Sequence, residues 1–364
     1  MARAFGGPNK YIQRAGEIDN LAAYLGPLGK RAFVLIDRVL FDRLSKRIAK
    51  SLGAGIEAHF EPFGGECCTP EIERVTQLAR TNESDVIVGV GGGKTADTAK
   101  IVAVTLGARI VIAPTIASTD APCSAVAVRY SEHGVFEESL RLPRNPDAVV
   151  VDSALVAAAP ARFLVSGIGD ALSTWFEARS NIESRTDNYV AGGFPAPEGA
   201  KAIARHCYDV LMRDALKAKV AVEAGLLTQA VENIIEANTL LSGLGFENCG
   251  CSAAHSIHDG LTILEEVHGF FHGEKVAFGT LCLLMLENRD HAEIEAVVRF
   301  CRAMGLPTTL ADLNIVDDVH AKIERVAQAT CQPGNIIYAT PVPVTVPAVR
   351  DAILALDAFS RSVA

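Results

Sequence analysis

Four of the nine histidines fall between residues 255 and 272. His255 and His258 lie in the run Ala253-Ala254-His255-Ser256-Ile257-His258-Asp259-Gly260, His268 follows, and His272 opens His272-Gly273-Glu274-Lys275. Residues three apart share a helical face, so His255 and His258 point the same way. His272 precedes a second apolar helical stretch. Imidazoles on two neighbouring helices can converge on one divalent cation, and one carboxylate completes three protein ligands with a position left open. A lone histidine is more often solvated or satisfied within the core; four so close together favour ligation. The carboxylate candidate is Asp170 in Gly167-Ile168-Gly169-Asp170, read as opening the first helix of a helical region. An acid there also has the plain role of favouring the helix dipole.

A second chemistry is written in Val88–Lys100, VGVGGGKTADTAK. An apolar strand runs into Gly91-Gly92-Gly93 and then a helix, which leaves backbone N–H groups free at a helix N-terminus where a pyrophosphate can approach. The spacing is neither the dinucleotide fingerprint nor a P-loop, because Lys94 follows the glycines directly. A tight strand-to-helix turn is the plain alternative. Asp37 ends an earlier strand, where ligands of open α/β sheets bind, and its carboxylate can accept from a ribose diol or merely cap the next helix. Because this acid precedes the glycines, the site departs from the usual dinucleotide arrangement.

Composition narrows the partners. The chain of 364 residues is 49% hydrophobic and 21% charged, which excludes disorder and suggests two domains. A formal charge of −9 without a Lys/Arg cluster argues against nucleic acid. No apolar run is long enough for a membrane helix, and the N-terminus carries no secretory pattern. Among nine cysteines, the nearest pairs (Cys67-Cys68 and Cys249-Gly-Cys251) lack the two-residue gap of a zinc knuckle or redox motif. Reduced, buried thiols in a cytoplasmic protein are therefore expected, with metal binding by Cys the minority alternative.

Apolar runs separated by helical patterns fill the first part of the chain. Strands are expected at Ala32–Asp37, Ile56–Phe63, Asp85–Val90, Arg109–Pro114 and Ala148–Asp152. Helices are expected at Val39–Leu52, at Pro70–Asn82 with Thr69 as N-cap, and at Lys94–Leu106. Ala125–Leu142 reads as a β-hairpin turning at Glu132-His133-Gly134. Beyond Pro160 the periodicity becomes helical, as in Ala221–Leu241, Glu274–Asn288, His291–Met304 and Val346–Phe359. The expected organisation is an α/β domain over 1–160 and an all-α domain over 161–364, with the ligand site in the cleft between them.

Taken together, GGGKTADTAK, PTIASTDAP (Pro114–Pro122), PRNPDAVVVD (Pro143–Asp152), APARFLVSGIGDALSTWFEAR (Ala159–Arg179) and HGEKVAFGTL (His272–Leu281) carry a resemblance over nearly the whole chain. The sequence is similar to the metal-dependent alcohol dehydrogenase family often called iron-containing, and within it to the glycerol dehydrogenases. The resemblance implies a Rossmann-like parallel sheet with a hairpin, then a helical domain, the fold shared with dehydroquinate synthase. It implies NAD-dependent oxidation of glycerol and related vicinal diols such as 1,2-propanediol to the hydroxyketone, in a cytoplasmic homo-oligomer of two to eight subunits. It places the metal ligands on Asp170, His255 and His272, leaving His258 outside the set. The NAD contacts fall on Asp37, Gly91, Gly92, Gly93, Lys94, Asp97, Thr115, Ser118, Thr119, Ser124, either Ala127 or Val128, and Tyr130. The polyol contact falls on Asp120.

Two departures bear on the metal. Iron-dependent relatives carry a further His four residues after the Asp, where this chain has Thr174, so Zn²⁺ is favoured over Fe²⁺ or another divalent ion. Cys249 and Cys251 stand where the glycerol dehydrogenases usually have small residues, close to His255. Asp120 and His258 are both candidates to relay the substrate proton. A dehydroquinate synthase-like lyase or a glycerol-1-phosphate dehydrogenase would need several basic residues near the ligands, and only Lys275 and Arg179 are close in sequence. A non-catalytic nucleotide-binding module would need no ligand triad.

Overall fold

The computed structural model describes residues 2–363. Its first part contains β1 (Tyr11–Gln13), α1 (Leu21–Leu25), β2 (Arg31–Ile36), α2 (Phe41–Leu52), β3 (Glu57–Pro62), α3 (Thr69–Thr81), β4 (Val86–Gly91), α4 (Gly93–Leu106), β5 (Arg109–Pro114), the hairpin β6 (Val126–Tyr130) and β7 (Phe136–Arg141), and β8 (Ala148–Val151). Six strands pair in the order β1-β8-β5-β4-β2-β3, all parallel. Alternate residues of the strands feed two cores. Ala32, Val34, Val86, Val88 and Val111 pack with Leu44 and Ile48 of α2. Phe33, Leu35, Ile87, Ile110 and Ile112 pack with Ala99 and Val102 of α4 and continue into the helices that follow. Burial on both faces explains why these strands read as continuous apolar runs.

The strand order locates a binding crevice without reference to any ligand. From β2 the chain moves outward to β3, and from β4 it moves the other way to β5, while α2 and α4 cover opposite faces. The connections leaving the adjacent strands β2 and β4 therefore diverge, which opens a crevice at their carboxyl ends. Asp37 follows β2 and Gly92-Gly93 follows β4, so both sit on that crevice.

After β8 come α5 (Ser153–Ala157), α6 (Ala161–Ser184), α7 (Glu198–Glu223), α8 (Gln229–Glu236), α9 (Ser242–Cys249), α10 (Ala253–Leu261), α11 (His272–Leu286), α12 (His291–Met304), α13 (Val319–Thr330) and α14 (Val346–Ser362). Among the described residues no helix is long and apolar enough to cross a membrane.

Four details differ from the sequence expectation. The edge strand β1 was not expected. Thr69 is the first residue of α3, with Cys68 as N-cap and no capping side chain. The helical stretch expected over Ala221–Leu241 is interrupted after Glu223, and its last turn, Ala237–Leu241, is a π-helix. Asp170 is not at a helix N-terminus but in the middle of α6. Glycines that resembled a helix start instead let helices touch backbone to backbone. A Cβ on Gly169 would strike the Gly273 carbonyl of α11, and one on Gly273 would strike the Ser166 carbonyl of α6. Gly273→Ala is thus expected to destabilise the protein by about 3 kcal/mol, because rigid backbone must move to admit it. A lower urea midpoint with unchanged slope checks this; an unchanged midpoint would show that the two helices can separate freely.

Candidate active site

Three donors meet where α6, α10 and α11 cross. Asp170 is fully buried, and its Oδ1 lies 3.4 Å from His255 Nε2 and 3.3 Å from His272 Nε2. That oxygen accepts no hydrogen bond, whereas Oδ2 accepts the Asp120 N–H at 3.2 Å. Donor atoms about 3.4 Å apart are what a tetrahedral ion with bonds of about 2.0–2.1 Å requires. An orphaned carboxylate oxygen between two imidazole nitrogens thus fits a small divalent cation better than a direct hydrogen bond. Charge agrees with geometry. Burial works to raise the Asp170 carboxyl, yet His272 and His255 hold it below the usual carboxylate range. Burial, with the Asp170 charge adding to it, pushes Asp120 well up. Burial opposes protonation of His255, but Glu177 overrides it and raises the imidazole. Buried acids around the triad therefore call for positive charge.

The resemblance left His258 outside the ligand set, and the helix turns it away. Its ring packs against that of His272 at 4.2 Å, and its Nδ1 pairs with Asp259 at 2.9 Å. Burial, with His272 beside it, holds His258 well below an ordinary imidazole. His268 pairs with the Thr262 carbonyl and faces elsewhere. Thr174 binds Ser242 Oγ at 2.8 Å, and Ser242 in turn donates to Asp120 Oδ2 at 2.7 Å. The position of the additional His in iron-dependent relatives is here used to hold Asp120 in place.

A cavity of about 640 Å³ runs from the crevice to the triad, with His255 and His272 on its wall. Asp37, Gly92, Gly93, Lys94, Asp97, Ser118, Thr119, Asp120, Ser124, Val128 and Tyr130 line it. Gly91 and Thr115 lie behind the wall, joined through the Thr115 N–H and Gly91 carbonyl at 3.0 Å. Ala127 turns into a small core with Cys67 and Ile101, so period-two alternation selects Val128. Asp37 also performs its plain role, accepting the Val39 N–H at 3.0 Å. Lys94 pairs with Glu66 and sits over the Tyr130 ring. Cys249 is fully buried, and Cys251 lines the cavity wall beside His255. Neither Lys275 nor Arg179 is on the wall, and Arg179 is paired with Glu293.

Several functional positions escaped the sequence reading. Lys100, wholly buried, binds the Ala121 and Val126 carbonyls and pairs with Asp97, while Asp97 accepts the Val128 N–H at 2.9 Å. This pair pins the hairpin over the crevice. Asp259 lines the cavity with its carboxyl pushed up to about 7 by burial. Glu177, 1% exposed, lies seven residues after Asp170 on α6 and accepts the Ser252 and His255 N–H groups. That two-turn spacing was visible in the sequence.

Comparison with known proteins places this geometry among oxidoreductases. The profile of the family described as iron-containing alcohol dehydrogenase matches residues 8–153. A glycerol dehydrogenase from Pseudomonas putida is 49% identical over 362 residues, covering 99% of each chain. A glycolaldehyde reductase from Halobacterium salinarum is 43% identical over 364 residues, covering 100% of this chain and 99% of the relative. The crystal structure of a probable glycerol dehydrogenase from Sinorhizobium meliloti 1021 is 83% identical, covers 100% of both chains and superposes with a TM-score of 0.97.

Proposed function

Since the chain belongs to the iron-containing alcohol dehydrogenase family, we propose that it oxidises glycerol and related vicinal diols to the hydroxyketone with NAD. The observation that carries this reading is the single cavity joining the β2–β4 crevice to Asp170, His255 and His272. These three residues would hold a divalent cation. Two imidazole nitrogens and one carboxylate oxygen, with Thr174 in place of a further imidazole, favour zinc over iron. When bound, the cation would supply Lewis-acid polarisation of the substrate hydroxyl, and the nicotinamide would accept the hydride. The α/β part up to about residue 160 carries the cofactor wall, and the helical part after it carries the triad. Nine unpaired cysteines, eight of them buried, support a reducing cytoplasmic setting. Exposed Met212, Leu216 and Val220, on one face of α7, support association into a homo-oligomer.

The protein's own groups do the positioning. Gly92 and Gly93 allow the pyrophosphate to approach the N-terminus of α4. Val126, Val128 and Tyr130 of the hairpin form an apolar wall that excludes water from the nicotinamide side. Asp120, fixed through Ser242 and by its own N–H on Asp170, sits beside the triad and accepts a second substrate hydroxyl. His258, the other proton-relay candidate, is absent from the cavity wall, whereas Asp120 lines it. Glycerol and glycolaldehyde, named by the two relatives, share adjacent oxygen-bearing carbons, and a site with two adjacent polar anchors suits that unit.

The test is kcat/KM for 1,2-propanediol against 1-propanol. Losing the hydroxyl that Asp120 accepts leaves a buried polar group without that partner, so a preference of about tenfold to a hundredfold for the diol is expected. Comparable values would leave a generic alcohol dehydrogenase and remove the diol reading.

A further inference from the structure

We propose that Glu177 is a positioning residue that fixes the tautomer of His255, and so presents its Nε2 lone pair to the cation site. The proposal rests on the ligand reading of Asp170, His255 and His272. His255 Nδ1 lies 2.7 Å from Glu177 Oε2, while Glu177 Oε1 accepts the backbone N–H of Ser252 at 2.8 Å and of His255 at 3.0 Å. A carboxylate only accepts hydrogen bonds, so Nδ1 must carry the proton when the ring is neutral. Nε2 is then bare and faces Asp170 Oδ1 at 3.4 Å. Ring orientation is set at the same time, because the carboxylate is held by two backbone donors at the start of α10 and cannot follow a rotating imidazole. One helix thus supplies both a ligand and the group that orients a ligand: Asp170 and Glu177 stand two turns apart on α6.

Glu177→Gln separates this role from simple helix capping. The two backbone N–H groups require an acceptor, so the amide oxygen of Gln takes their side and its NH2 group turns toward Nδ1. That amide can only donate. Nδ1 must then accept, the proton moves to Nε2, and the lone pair needed for the cation is blocked. A capping role predicts that Gln is harmless; a positioning role predicts loss of the cation.

The experiment compares zinc-loaded wild type with Glu177→Gln. Competition with a chromogenic chelator is expected to show affinity weakened by about tenfold to a hundredfold. NAD affinity should stay unchanged, since Glu177 is not on the cavity wall. Equal zinc affinity in the two proteins would overturn the proposal while leaving the ligand reading intact. A wild type that binds no zinc at this site would overturn both. The second readout does not depend on the variant folding: ¹⁵N-histidine spectra of the metal-free wild type at alkaline pH. The neutral His255 ring should carry its proton on Nδ1. A proton on Nε2 would overturn the proposal.

Discussion

Asp170→Asn is expected to strip the divalent ion and to lower kcat/KM by about a thousandfold or more. Lewis-acid assistance is worth several kcal/mol, and each 1.4 kcal/mol is about tenfold in rate. The substitution is well controlled because the amide oxygen can still accept the Asp120 N–H that Oδ2 now accepts at 3.2 Å. What it removes is the charge, at a fully buried position where two imidazoles already hold the carboxyl in its ionised form. An uncharged amide between His255 and His272 cannot neutralise a cation in so dry a site. Metal content of the purified variant, kcat/KM with glycerol, and NAD affinity are the three measurements. Metal and turnover should fall together while NAD affinity stays within about twofold, since the crevice after β2 and β4 is built from other elements. Near-normal metal and turnover would show that Asp170 is not a ligand. His255→Ala and His272→Ala should lose metal in the same way.

The parallel sheet was legible because strands buried on both faces cannot alternate, and β2, β4, β5 and β8 appear as unbroken apolar runs. The edge strand β1 was not. Its three residues hold their place through tertiary contacts, Tyr11 with Thr239 at 2.8 Å and Gln13 with Glu232 at 2.6 Å, across more than 200 positions in sequence. The continuity of α6 was hidden for the opposite reason. Gly167 and Gly169 read locally as a helix boundary, whereas their lack of a side chain serves the approach of Ala117 and Gly273 backbones. Local propensity lost to packing there.

At the site, residue types were legible and directions were not. Spacing alone grouped His255 with His258, since both lie on one helical face; in the structure His255 turns to Asp170 of α6, whereas His258 pairs with its own neighbour Asp259. The resemblance marked Asp120 as a polyol contact, but its support by Ser242 and Thr174 joins three stretches with no local signal. Gly91 and Thr115 lie one layer behind the cavity, a distinction of a single residue that a motif cannot make. Glu177 had the strongest unread signal. An acid two turns after Asp170 on one helix points the same way.

The remaining large effect concerns cofactor choice. The unaltered protein should use NAD at least about a hundredfold better than NADP, and Asp37→Ser should narrow the ratio by about tenfold. Asp37 sits directly after β2, half-buried on the crevice wall, with Oδ1 accepting the Val39 N–H. Its charge lies where the adenosine ribose of a cofactor spanning the crevice would rest. A 2′-phosphate brought there meets a like charge in a partly desolvated site, at a cost of a few kcal/mol. Serine separates the two roles of this residue, because it is as good an N-cap as aspartate and carries no charge. A narrowed ratio with unchanged thermal stability would therefore assign discrimination to the charge. Asp37→Ala, losing cap and charge together, should narrow the ratio equally but also destabilise the protein by about 1 kcal/mol. The measurement is kcat/KM for both cofactors at saturating glycerol in all three proteins. Equal use of NAD and NADP by the unaltered protein would remove Asp37 from the cofactor site and leave it as a cap alone.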